Sequence, residues 1–128
     1  MQHKNIPSPE QAERFAFYVK HWQTMLNLVD WRIEKGKKKA AKGAMAEVDF
    51  DSAARLATYR LGDFGAEEIT ERLLKLTALH ECLHVFLYDL IAAAAAHPQN
   101  PETLEAAEHR VVNVLEKLLG EQSASGNH

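Results

Sequence analysis

The amino-acid sequence predicts an α+β fold: an N-terminal helix, a short three-stranded antiparallel sheet, a long helix and a C-terminal helix. Three observations predict it. Apolar residues recur at helical spacing over residues 9–30, 66–96 and 101–119. Between the first two of these lie three short runs with strand character. Turn-rich segments, Lys35 to Gly43 and Leu61 to Gly65, punctuate the strands and precede the long helix.

The first helix has a strong start signal. Ser8 can cap it, Pro9 suits its first turn, and Gln11 completes a capping-box spacing. Phe15, Val19, Trp22, Leu26 and Val29 then form one apolar stripe, so the helix is expected to run to about Asp30. The strands are expected at Trp31 to Glu34, Ala46 to Phe50 and Arg55 to Leu61. In the second, Ala46, Val48 and Phe50 alternate with Glu47 and Asp49, the period of a half-buried strand. The segment from Lys35 to Gly43 holds five lysines and two glycines. It reads as an exposed hairpin loop whose charge protects a sheet edge, with anion binding as the competing reading.

A long helix is expected from Ala66 to about Ala96, with Glu67, Glu68 and Glu71 at the positive end of its dipole and His97-Pro98 as its stop. The last helix is expected to begin with Asn100 as cap and Pro101 in its first turn, and to end near Leu119 at Gly120. The polar tail 121–128 is expected to be disordered.

The chain has 128 residues, 46% apolar and 26% charged, which fits one globular domain over residues 1–120. A net charge of -3 argues against general nucleic-acid binding. Cys82 is the only cysteine, the N-terminus lacks the apolar stretch of a signal peptide, and no run reaches the roughly 18 apolar residues of a membrane span. A cytoplasmic protein without a membrane partner is expected.

The chemistry concentrates in His80-Glu81-Cys82-Leu83-His84. His80 and His84 are one helical turn apart, so their imidazoles project from one face and can converge on a single ion. Imidazole suits zinc, which takes tetrahedral ligands. Glu81 points to one side, where it can act on a water held by the ion without ligating the metal itself. Helical spacing places both histidines in the stripe Ile69, Leu73, Leu76, Leu83, Leu87 and Ile91, read as the core face. Buried imidazoles need partners, which favours a Zn2+ site over ordinary histidines. Cys82 points away from the pair, which leaves a ligand position open.

A third ligand is expected from the last helix. Its apolar face is Leu104, Ala107, Val111, Val114, Leu115 and Leu118, and Glu108 falls inside that arc. Glu108 is therefore the chosen ligand, with Glu105 the alternative and His109 after it. The competing reading of Glu108 is a salt bridge to Arg55, Arg72 or Arg110.

The motif followed by Glu108 resembles the gluzincin class of zinc metallopeptidases. The small size and the short sheet before the motif are similar to compact phage- or prophage-encoded zincin-like proteins. The resemblance implies a zinc-dependent hydrolase of peptide bonds in which Glu81 is the catalytic base. It also implies an edge strand that binds extended peptide by backbone hydrogen bonds; by position this is Arg55 to Leu61. An oxyanion-stabilising side chain is implied too, for which Tyr88, Tyr59 and His109 are candidates. One small domain supplies half a cleft, which a partner or a second copy in a homodimer would complete. The alternative is a non-catalytic zinc-binding domain acting as a binding or structural module. A di-iron helical protein is a third reading, which needs a second Glu-x-x-His motif that the chain lacks.

Overall fold

A computed structural model describes residues 4–96 and 101–126, apart from the side chains of 101, 103, 116 and 119–126. The elements run α1 (Pro9–Met25), β1 (Arg32–Lys35), β2 (Ala46–Asp51), β3 (Leu56–Leu61), α2 (Glu71–Ala96) and α3 (Pro101–Gly126). The α+β class is as the sequence predicts.

Helix α1 opens with the expected capping box: the Gln11 N–H donates to Ser8 Oγ, and the Ser8 N–H donates to Gln11 Oε1. It stops earlier than the apolar stripe suggests. Asn27 adopts a left-handed conformation (φ 55), the Leu28 N–H donates to Gln23 O, and the Asn27 N–H donates to Thr24 O. This is a Schellman close. Phe15, Val19, Trp22 and Leu26 are buried, whereas Val29, beyond the close, is 82% exposed.

The sheet order is β1-β3-β2, with β1 parallel to β3 and β2 antiparallel to it. Two expectations are corrected here. The sheet is mixed rather than antiparallel, and Leu56–Leu61 is its central strand rather than an edge. The lysine-rich segment is consequently a crossover that rounds the end of β3, not a hairpin. The Gly36 N–H donates to Tyr59 O, the Ala40 N–H to Leu61 O, and the Gly62 N–H to Met45 O. Gly62 permits this passage, because a Cβ there would stand 2.3 Å from the Ala44 carbonyl oxygen.

The inner face of the sheet carries Ala57, Tyr59 and Leu61 of β3 beside Phe50, Val48 and Ala46 of β2. Helices α1 and α2 cover this face, and the outer face carries Glu47, Asp49, Thr58 and Arg60. Arg60 bridges Glu47 at 3.0 Å and also pairs with Asp49.

Helix α2 starts at Glu71, not Ala66. Thr70 caps it by accepting the Leu73 N–H on Oγ1 at 3.0 Å, so Glu67 and Glu68 precede the helix. Among the described residues α2 is the one helix long and apolar enough to cross a membrane by length and composition. Here it packs against α1, β2 and α3. Helix α3 continues through Gly120 to Gly126, past its expected stop and into the expected tail. One glycine in a helix costs about 1 kcal/mol relative to alanine, which neighbouring turns can offset. The expected stop at His97-Pro98 and cap at Asn100 lie outside the described residues, as does the start of the N-terminal segment.

Candidate metal centre

The core face of α2 is Leu74, Thr77, Ala78, Glu81, Cys82, Val85 and Phe86. His80 and His84 are exposed, and so are Leu76 and Ile91. The expected core stripe is therefore rotated: the imidazoles look outward and Glu81 looks inward. The helix is apolar on most of its circumference, so spacing alone admits either arc. Helices α1 and α3 and the sheet select the arc that contains Glu81.

The two imidazoles do converge. His80 Nε2 lies 3.2 Å from His84 Nε2, with ring centroids 4.8 Å apart and planes at 84°. Two nitrogens bound to tetrahedral zinc at about 2.0–2.1 Å stand about 3.3 Å apart. The separation fits an N–H···N hydrogen bond between the two rings and also the spacing of two ligands of one zinc ion. An ion held by the pair would be accessible from solvent.

Glu81 is 6% exposed and makes no hydrogen bond or ion pair to another described side chain. Burial raises its carboxyl pKa above the usual range, the nearby His80 and His84 pull it partly back, and Glu47 adds to the rise. A desolvated carboxyl with a raised pKa is a stronger base than a solvated one. His80 and Glu81 line a hollow of about 340 Å³ with Met45, Ala46, Leu76 and Thr77. The sequence reading missed these four residues. Only the alternation of Ala46, Val48 and Phe50 hinted at them, by marking a strand with one face turned to the helices.

Strand β2 runs beside the motif. Ala46 shares the hollow with His80, and the Phe50 ring stacks 4.5 Å from the Tyr88 ring, two turns further along α2. The outer edge of β2 is unpaired in the sheet. Met45 accepts from Gly62 across the β2–β3 ladder. Alternation then turns the N–H and C=O groups of Ala46, Val48 and Phe50 to the free edge. The edge beside the motif is thus β2, whereas β3, where peptide binding was expected, has both edges occupied.

The expected third ligand does not join the pair. Glu108 is exposed on α3, beside Leu104, Glu105, His109 and Val112. The reason is the register of the two helices. Arg110 approaches Asp89 at 3.5 Å and lies 6.0 Å from the Phe86 ring, and Val111, Val114 and Leu118 face the core. Arg110, two positions on from Glu108, is the α3 side chain that meets Asp89 and Phe86, past His84 along α2. Glu105 lies 3.9 Å from His109, and both are exposed. Among the described residues no group of three His, Cys, Asp or Glu side chains could hold a metal.

The oxyanion candidates divide. Tyr59 is buried against Phe15, with ring centroids 5.2 Å apart, and is a core residue. His109 sits on α3 beside Glu105. Tyr88 follows His84 by one turn and lies beside β2, packed on Phe50 and Trp31. Cys82 is buried near the Val19 carbonyl on the core face of α2, away from the exposed imidazoles, and burial pushes its thiol up to about 12.

No family model matches this chain, and comparison with curated proteins and with solved structures also finds no match.

Proposed function

We propose that this protein is a zinc-dependent hydrolase of peptide bonds whose working face is formed by His80, Glu81, His84 and the free edge of β2. The observation that carries this reading is the 3.2 Å approach of the two Nε2 atoms beside a buried Glu81. His80 and His84 would hold the ion. When bound, zinc supplies a Lewis acid that polarises a carbonyl and acidifies water. Glu81 takes the proton of the attacking water and returns it to the leaving amine. The hollow around Glu81 limits bulk water and keeps the carboxyl basic. The edge of β2 holds an extended substrate through the backbone groups of Ala46, Val48 and Phe50. Of the three oxyanion candidates, Tyr88 is the one supported by lying one turn past His84 and beside β2.

A second reading is a non-catalytic module that binds zinc through the two imidazoles and completes the coordination with ligands from a partner, which answers to the observation that no third ligand stands with them among the described residues. Catalytic zinc takes three protein ligands and an open position. One experiment separates the readings. Purified protein is analysed for zinc and assayed on a quenched-fluorescence peptide library, together with His80→Ala, His84→Ala, Glu81→Gln and Glu108→Gln variants. The hydrolase reading expects zinc to be lost in both histidine variants, and to be retained without turnover in Glu81→Gln. Glu108→Gln, remote from the pair, retains zinc. Zinc binding without turnover in the wild type supports the module reading, and no zinc dependence at all overturns both.

A further inference from the structure

We propose that a lysine-lined hollow next to the histidine pair selects acidic side chains, so that the substrates are peptides with Asp or Glu a few residues to one side of the scissile bond. This rests on the peptide-hydrolase reading above. The hollow, of about 590 Å³, lies between the N-terminal segment, the crossover at residues 39–43 and the connector at residues 62–66. Met45 lines both this hollow and the one beneath His80 and Glu81. A strand laid on the β2 edge that runs past Ala46 therefore passes from one to the other.

The charge of the hollow is unbalanced. Lys4, Lys39 and Lys42 line it, and none forms an ion pair with a described residue. The one acid in its wall, Asp63, already accepts the N–H groups of Asn5 and Gly65 on Oδ1, each at 2.8 Å. Lys37 and Lys38 on the same crossover add positive charge. A local excess of ammonium groups on a chain of net charge -3 concentrates anions at that spot.

The walls are preformed. The Phe64 N–H donates to Asn5 O at 2.9 Å, and the Asn5 side-chain amide donates to Glu67 O. The crossover is tied to β3 through the Ala40 to Leu61 bond at 3.1 Å. An acidic side chain thus meets lysines carried on backbone segments that are already fixed, so the ordering cost falls on the lysine side chains alone. A peptide fits better than a nucleic acid. The hollow continues into a strand edge, whose backbone groups recognise polypeptide. Its one aromatic, Phe64, is 3% exposed and offers no stacking face for a base.

The test uses zinc-loaded full-length protein and pairs of fluorogenic peptides that differ only in Asp or Glu against Asn or Gln near the bond. The expected result is a kcat/KM about two- to fivefold higher for the acidic twin at low salt, with the advantage shrinking at high salt. The acidic-to-neutral ratio falls toward one in a Lys4→Gln, Lys39→Gln, Lys42→Gln variant. Equal rates for the wild-type twins overturn the acid selection and leave the hydrolase reading intact. Should neither twin be cleaved, the hydrolase reading fails, and fluorescence anisotropy with the same peptides decides the hollow's role separately. Tighter binding of the acidic twin, lost in the lysine variant, supports it. Equal binding of the twins, or tighter binding of a single-stranded oligonucleotide of matched charge, overturns it.

Discussion

The Arg55 guanidinium donates to both carboxylate oxygens of Asp89, at 2.8 and 3.1 Å. It also pairs with Asp30, and its Cζ lies 4.0 Å from the Trp31 ring centroid. One side chain thus ties the β2–β3 turn to the entry of β1 and to α2 beyond the motif. It does so from a left-handed backbone, φ 51, which an L-residue adopts at a cost. Replacing Arg55 by alanine removes the contacts and keeps the strain; replacing it by glycine removes both. Arg55→Ala should lower unfolding stability by about 1–2 kcal/mol, given that the pair is partly solvated. Arg55→Gly should be the more stable of the two variants by roughly 0.5–1 kcal/mol, less than the full strain because glycine loses more backbone entropy. Urea denaturation measures both, and equal midpoints would remove the backbone argument.

The same pair sets a pH dependence. The Arg55 hydrogen bonds hold the Asp89 carboxyl below the usual carboxylate range, against the opposing effect of partial burial, and Arg110 adds to the lowering. A folded-state value below the unfolded one, about 3.9, contributes stability that is complete above that pH and lost as the pH falls through the folded value. Asp89→Asn should therefore melt below wild type at pH 7, with the gap closing as the pH drops below about 4. A gap in Tm that stays constant from pH 7 to pH 3 would sink the charge assignment.

Gly62 supports the crossover that shapes both hollows. A Cβ there would meet Ala44 O at 2.3 Å and the Ala40 Cβ at 3.0 Å, and a backbone carbonyl cannot move aside cheaply. Gly62→Ala should cost about 2–3 kcal/mol. Its backbone does not need the left-handed region, so the penalty is steric. Gly43, with φ 91 and nothing near its Cβ direction, is the control: an alanine there is strained by the backbone alone. Denaturant titration should place Gly62→Ala below Gly43→Ala; the reverse order would mean that the close approach is easily relieved.

What could be read from the sequence divides along the range of the forces involved. The Ser8–Gln11 capping box and the inward alternation of Ala46, Val48 and Phe50 depend on neighbours in the chain, and they stand where the sequence places them. The convergence of His80 and His84 is also local, since one helical turn fixes it. The parallel pairing of β1 with β3 leaves no local mark, and it made a central strand look like an edge. The outward turn of the imidazoles was hidden by a helix with leucines on several arcs, and its buried arc includes Thr77 and Glu81, which a hydrophobicity pattern scores as polar. Glu108 was misplaced for a related reason. Its height along α2 depends on where Arg110 meets Asp89 and Phe86, and no spacing rule within α3 specifies that.

The free edge of β2 gives a test that separates binding from folding. The Val48 N–H points to that edge and takes no part in the β2–β3 ladder, as the Met45–Gly62 hydrogen bond and strand alternation require. Proline at position 48 therefore deletes no hydrogen bond of the fold, and edge strands tolerate proline at such positions. Thr58, opposite Asp49 on central β3, has no such freedom, because β3 is paired on both sides. Val48→Pro should lower Tm modestly through lost core packing of the valine, whereas Thr58→Pro should unfold the domain. On the proposed substrate path, Val48→Pro removes one backbone donor to the peptide and should reduce kcat/KM about tenfold or more, with zinc content unchanged. A folded Val48→Pro variant with wild-type peptide kinetics would show that substrate does not pair with β2, while the histidine pair and Glu81 could still act on a substrate held in another way.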